Sequence, residues 1–199
     1  MTDKILYRAI DGEPLDFEQT LDIYNNVPLP ELADAANRLR IKSVADPDVV
    51  TWQIDRNVNI TNVCISGCKF CNFHCKPHQR DRHFVTTIDE YCQKIDTMLA
   101  LGGDQLLLQG GLHPALDIKF YEELFGTLKR LYPEVRLHAL GAPEVAHIAR
   151  ISGLDYRTTL ERLVAAGLDS LPGAGAEILT DRGRRAISPA KPSVDAWLE

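Results

Sequence analysis

From residue 49 onward the apolar positions switch repeatedly between a period of two and a period near 3.6, and that alternation predicts the fold. Val49-Val50-Thr51-Trp52-Gln53-Ile54 and Asn57-Val58-Asn59-Ile60-Thr61-Asn62-Val63 carry the β-branched, alternating pattern of strands. Thr87 or Asp89 starts a helix through Ile95, Met98 and Leu99, which Gly102-Gly103 ends. Gln105-Leu106-Leu107-Leu108-Gln109 is a continuous apolar strand of the kind a two-sided parallel sheet buries. A helix follows from about Ile118 to Leu131, with Tyr121, Leu124 and Leu128 on one face, and Val135 to Leu140 is the next strand. Pro143-Glu144 opens another helix. Leu160, Leu163 and Val164 belong to a further one, closed by Gly167. Leu168 to Leu171 is a fourth, short strand, and Pro172-Gly173-Ala174-Gly175 turns into a helix near Glu177. Strand alternating with helix predicts an α/β fold, a parallel sheet with right-handed crossovers, open or barrel-like.

Upstream, the pattern is helical with turns. Asp16 with Gln19 forms a capping-box arrangement before Leu21 and Tyr24. Pro30 suits the first turn of a helix whose Leu32, Ala35, Ala36 and Leu39 recur at helical spacing. The expected division is an N-terminal helical extension over residues 1–48 and an α/β domain over 49–199.

A chain of 199 residues with 45% hydrophobic content can bury one substantial core. A net charge of −6 argues against non-specific binding to nucleic acid or to an anionic membrane. No apolar run approaches the roughly 20 residues a membrane-spanning helix needs. Met1-Thr2-Asp3-Lys4 opens no apolar export segment, so a cytoplasmic protein with reduced cysteines is expected.

The chemistry concentrates in Cys64-Ile65-Ser66-Gly67-Cys68-Lys69-Phe70-Cys71, a C-x3-C-x2-C run just past a predicted strand. Thiolates this close, with no histidine pattern beside them, favour a soft metal or an iron–sulfur cluster. A structural zinc site wants four ligands, commonly as two separated pairs, and no second pair follows. Three thiolates can hold three corners of a [4Fe–4S] cube and leave the fourth iron open. Cys75 extends the run towards the ferredoxin pattern, and capping by Cys75 would make an electron carrier, but the first spacing is wrong for one. Cys92, on a predicted helix, reads as a small buried apolar residue. His74, His78 and His83 are spaced irregularly among Lys76, Arg80 and Arg82, as in a solvated loop. His113, His138, Glu144, Ser170 and Glu177 fall at or just beyond strand C-termini, where parallel α/β barrels place reactive groups.

With Phe70 just before its last cysteine, the run resembles the radical S-adenosylmethionine (radical SAM) enzymes. The stretch Val49 to Cys64, with its Asp55-Arg56-Asn57, resembles more closely the cyclic dehypoxanthinylfutalosine synthase family of the futalosine route to menaquinone. So do Leu108-Gln109-Gly110-Gly111-Leu112-His113-Pro114, Gly167 to Leu179, and Ile187-Ser188-Pro189-Ala190-Lys191. Aminofutalosine synthase and the deazaflavin synthases share much of this.

The resemblance implies a radical SAM-type partial (β/α)6 barrel, expected to stop after about four of six strand–helix units. It implies a [4Fe–4S] cluster on Cys64, Cys68 and Cys71, with S-adenosylmethionine on the open iron near Phe70, Gln109, Gly110 and Gly111. Leu112 stands where the family's glycine-rich stretch carries an acidic residue. The implied reaction is cyclisation of dehypoxanthinylfutalosine after hydrogen abstraction from its ribose by a deoxyadenosyl radical. Flavodoxin or ferredoxin is the implied electron donor, and neither nucleic acid nor membrane is expected as a partner. His113, His138 and Glu177 are candidates, by location, for the final proton transfer. A cluster-binding electron-transfer or sensor module is the competing reading.

Overall fold

A computed structural model describes residues 2–199, and contacts divide the chain into two compact units, Met1–Trp52 and Gln53–Glu199. The first is a small helical unit: α1 (Thr2–Ile10), α2 (Phe17–Asn26) and α3 (Leu29–Ser43). Asp16 caps α2 as expected, accepting from the Gln19 amide while the Gln19 side chain accepts from the Asp16 amide. Pro30 sits in the first turn of α3. Ile10, Ile23 and Ala35 are the buried apolar residues of this unit.

The second unit is built on a three-stranded parallel sheet, ordered β1 (Asp55–Asn59), β2 (Gln105–Gln109), β3 (Arg136–Ala139). Between the strands run α4 (Ile88–Ala100) and α5 (Ile118–Leu131), followed by α6 (Ala142–Ser152), α7 (Tyr156–Ala166), α8 (Asp181–Ile187) and α9 (Val194–Leu198). The register aligns Val58 with Leu108 and Ala139, and Asn57 with Leu107 and His138. Side chains alternate across the sheet, so these two rows face opposite ways. The face of Val58, Leu106, Leu108, Leu137 and Ala139 is buried under Tyr91, Ile95 and Met98 of α4 and Tyr121, Leu124, Phe125 and Leu128 of α5. The Asn57, Leu107 and His138 face is less covered, so β2 alternates in burial instead of being sealed on both sides.

Four expectations shift. Residues 49–54 form no strand; Val50 and Trp52 are 81% and 80% exposed, and no neighbouring strand meets them. Strand β1 stops at Asn59, because Ile60 and Thr61 then divide their hydrogen bonds between Gln109, Gly111 and the returning Val85-Thr86 segment. The fourth strand shrinks to one parallel bridge between His138 and Ser170. The last turn of helix is delayed as well: Glu177 lies in a tight turn at φ 45°, and α8 begins only at Asp181. No helix among the described residues is long and apolar enough to cross a membrane.

Candidate functional site

The cysteine loop leaves the C-terminal end of β1 and is closed by its own backbone. The Cys75 amide donates to Asn62, and the Cys64 amide donates back to the Cys75 carbonyl. Cys75 is therefore the latch of the loop. Its thiol points at the carbonyls of Lys76 and Gln79, the latter 3.4 Å away. At the other end Gly67 turns the chain at φ 65°.

Inside the loop the sulfur of Cys64 collects polar partners. The Leu112 amide lies 3.3 Å from it, the Ser66 amide 3.5 Å and the Ser66 hydroxyl 3.0 Å. The same hydroxyl is 3.3 Å from the sulfur of Cys68, so one serine spans two cysteines. Neither Ser66 nor the Leu112 amide is signalled by the cysteine spacing; a serine between the first two cysteines was the one available hint.

The strand end of β2 locks onto this loop. The Gly111 amide donates to Thr61, and the Ile65 amide donates to Leu112. A Cβ at Gly111 would stand 2.6 Å from the Val63 carbonyl carbon and 2.9 Å from the Cys64 Cβ. The glycine is thus required by chain-to-chain contact at the cysteines. On the far side the Lys69 amide donates to the Ile187 carbonyl and the Ala190 amide to the Ser66 carbonyl, clasping the loop from residues late in the chain.

These contacts enclose a cavity of about 330 Å³. Its lining includes Cys64, Cys68 and Cys71, with Phe70, Gln109, Gly110 and Gly111, and with Glu144, Glu177 and Lys191. Glu177 pairs with Lys191, whose ammonium also lies 5.8 Å from the centre of the Phe70 ring. Glu144 comes from the first turn of α6 and accepts from the Gly141 amide at 2.9 Å. Burial pushes its carboxyl up to about 7, against the opposing pull of the Gly110, Glu144 and Gly141 amides and of the Lys191 charge.

His113 and His138 stand apart from this wall. His113 is half-buried, its carbonyl accepting from His147 Nε2 at 2.8 Å, and its imidazole is held below its ordinary pKa by burial and by His83 and His147. His138 shares a 2.6 Å hydrogen bond with the Ser170 hydroxyl, in register with Leu107 and therefore deeper along the strands than Gln109. His74 does reach the cavity, its Nδ1 2.7 Å from the Cys71 carbonyl.

Among the described residues no three His, Cys, Asp or Glu side chains converge as the ligands of a single ion do. A polynuclear cluster asks for something else, one thiolate per iron, spread around the cube. The donor set fits that demand: three thiols on one wall, a sulfur already supplied with amide donors, and open volume in front.

Comparison with known proteins agrees with this geometry. Residues 58–199 match the model of the Radical SAM superfamily. The chain is 41% identical over 196 residues to a cyclic dehypoxanthine futalosine synthase of Streptomyces coelicolor, covering 98% of this chain and 49% of that protein. It is 36% identical to the synthase of the same name from Halalkalibacterium halodurans, over 98% of this chain and 52% of the other. A 5-amino-6-(D-ribitylamino)uracil–L-tyrosine 4-hydroxyphenyl transferase of Methanosarcina mazei is 38% identical, over 99% and 49%. The chain thus spans about half the length of these curated relatives. Among solved structures, the [FeFe]-hydrogenase maturase HydG superposes with a TM-score of 0.56 at 13% identity, over 85% of this chain and 45% of that one. Methylornithine synthase superposes with a TM-score of 0.54 at 13% identity, over 82% and 56%. Sequence match and fold concur: the chain belongs to the radical SAM superfamily.

Proposed function

We propose that Cys64, Cys68 and Cys71 hold a [4Fe–4S] cluster, that S-adenosylmethionine binds its open iron in the 330 Å³ cavity, and that the enzyme cyclises dehypoxanthinylfutalosine. One observation carries the cofactor part. Three thiols, Phe70, the Gln109-Gly110-Gly111 strand end and Glu177, picked from separate stretches of sequence, line a single cavity. The substrate part is supported by the identity to two cyclic dehypoxanthine futalosine synthases.

A cluster held by Cys64, Cys68 and Cys71, with S-adenosylmethionine beside Phe70 and the Gln109-Gly110-Gly111 strand end, would supply one-electron sulfonium chemistry able to activate a ribose C–H bond. What the chain adds is position. The glycine strand end lets a ligand approach the backbone closely, and Phe70 adds an aromatic side chain to the cavity lining. For the closing proton transfer the three sequence candidates stand unequally. Glu177 is on the wall but already paired with Lys191, whereas His138 and His113 lie off it. A small reducing protein such as flavodoxin or ferredoxin supplies the electron, in a cytoplasmic setting that keeps the five free cysteines reduced.

Anaerobic reconstitution followed by titration with S-adenosylmethionine tests the reading. About four irons per chain and a changed electron-paramagnetic signal on adding S-adenosylmethionine are expected. A cluster indifferent to it would favour an electron carrier. Cys75→Ser and Cys92→Ser are expected to reconstitute to wild-type iron content and respond alike, since the Cys75 thiol faces the Lys76 and Gln79 carbonyls. Loss of the cluster in Cys75→Ser would point to a fully capped, ferredoxin-like site.

A further inference from the structure

We infer that Ser66 raises the reduction potential of the cluster by sharing its hydroxyl proton between the sulfurs of Cys64 and Cys68, a positioning role that rests on the function proposed above. The argument begins with what else that hydroxyl could do. Ser66 is only 4% exposed, so bulk water is a poor partner for it. A buried hydroxyl is normally hydrogen-bonded, and among the described residues this one meets two sulfurs, Cys64 at 3.0 Å and Cys68 at 3.3 Å. The residue is fixed from both sides. Its carbonyl accepts from the Ala190 amide, and its own amide lies 3.5 Å from the Cys64 sulfur. Gly67 then turns the chain at φ 65°. Once the two cysteines hold iron, their sulfurs have no proton to give, so the serine is the donor.

The donors are spread unevenly over the three cysteines. The Cys64 sulfur has the Leu112 amide at 3.3 Å, the Ser66 amide and the Ser66 hydroxyl. The Cys68 sulfur has the same hydroxyl. Among the described residues no hydrogen bond reaches the sulfur of Cys71, which engages His74 through its carbonyl and is the least buried of the three. Two of these donors belong to the backbone, and only the hydroxyl is a side-chain choice. Ser66 is therefore the donor that the sequence can adjust.

Reduction adds one electron, taken from the small reducing protein proposed above, with no bond made or broken and no proton taken up. The added negative charge spreads onto the sulfurs, and donors aimed at them favour the reduced form. Poor access of water to Ser66 leaves that effect unscreened. Without the hydroxyl, the electron donor must be a stronger reductant.

The test is a redox titration of the anaerobically reconstituted chain without S-adenosylmethionine, following the paramagnetic signal of the reduced cluster. Ser66→Ala is expected to disfavour reduction about tenfold, a midpoint lower by roughly 59 mV for one electron. Ser66→Thr, which keeps the hydroxyl, should return the midpoint towards that of wild type. Ser188→Ala is the control. Ser188 is buried beside the clasp with no partner for its hydroxyl among the described residues, so its removal should leave the midpoint in place. Wild type carrying serine labelled with oxygen-17 at the hydroxyl should show an oxygen coupling to the reduced cluster.

An unchanged or higher midpoint in a fully loaded Ser66→Ala chain would mean that Ser66 only shapes the loop, and would overturn the inference. An equal fall in Ser188→Ala would do the same. If Ser66→Ala loads too little iron to titrate, the labelled wild type decides, and absence of an oxygen coupling sinks the role. If wild type itself assembles no cluster, the proposed function falls and the inference with it. A wild-type cluster whose midpoint ignores Ser66 costs only the role of the serine.

Discussion

Cys71→Ala is expected to assemble no [4Fe–4S] cluster and to yield no 5'-deoxyadenosine, and the same holds for Cys64→Ala and Cys68→Ala. The reason is that no spare thiol reaches the wall. Of the two remaining cysteines, Cys75 is fully buried as the latch of the loop, with its sulfur against the Lys76 and Gln79 carbonyls. Cys92 lies on α4, whose buried residues pack under the opposite sheet face. Three-point attachment is also the least that keeps one iron open while holding the cube. Iron and sulfide counts after anaerobic reconstitution check the first half, and chromatography of the nucleoside products checks the second. Wild-type 5'-deoxyadenosine formation by Cys71→Ala would remove the basis of the assignment.

Gly111→Ala is expected to damage both stability and cluster loading, although residue 111 would ligate nothing. The added methyl group would sit 2.6 Å from the Val63 carbonyl carbon and 2.9 Å from the Cys64 Cβ, far inside the roughly 3.5–4.0 Å at which carbon atoms rest. Neither neighbour is a flexible chain end, so strand β2 or the cysteine lead-in must move. Such overpacking costs about 1–3 kcal/mol, and here the displaced group is a proposed ligand. A lower melting temperature and reduced iron per chain should appear together. Gly126→Ala is the control: its Cβ meets nothing within 4 Å on α5, so a gain of roughly 0.5–1 kcal/mol is expected from helix propensity. A Gly111→Ala protein that melts and loads like wild type would show that the contact relaxes freely.

Much of the scaffold is readable from the residues because local signals agree there. Helix α5 runs from Ile118 to Leu131 as expected, since Asp117 caps its start and one apolar face continues to its end. Helix α4 begins after Thr87, whose hydroxyl and Glu90 form a reciprocal cap. Strand β2 matches its apolar run from Gln105 to Gln109. The misses share a cause. Residues 49–54 have strand composition but no strand beside them, and pairing is a tertiary event that a run of valines cannot announce. Leu168 to Leu171 has the same fault, its ladder reduced to the bridge at Ser170.

At the site, the cysteines, Phe70, Gln109-Gly110-Gly111 and Glu177 declare themselves by type, spacing and resemblance, and the cavity gathers them. Ser66 does not. Ser66 matters only because the loop folds its hydroxyl between two sulfurs. Glu144 is named by its place beyond a strand end, but the burial that raises its carboxyl shows only in the folded cavity. Burial and missing partners are properties of the folded environment, and no residue pattern encodes them directly.

The clasp on the cysteine loop carries a consequence for biogenesis. Ser66 and Lys69 are tied to Ala190 and Ile187, and the buried Arg184 guanidinium stitches Ala176 and Pro192 together just beside that tie. On the ribosome the cysteines emerge well before the segment that fixes their loop. At about 5–20 residues per second the delay is on the order of ten seconds. During that interval three closely spaced thiols are exposed without their shaped pocket, open to oxidation or to a mismatched soft metal. Delivery of iron and sulfide before residues 187–191 have left the ribosome would meet a floppy tether, and delivery afterwards would meet a preformed seat. Pulse-labelled ribosome-bound chains of increasing length should therefore show thiol protection rising sharply only once Ala190 has emerged.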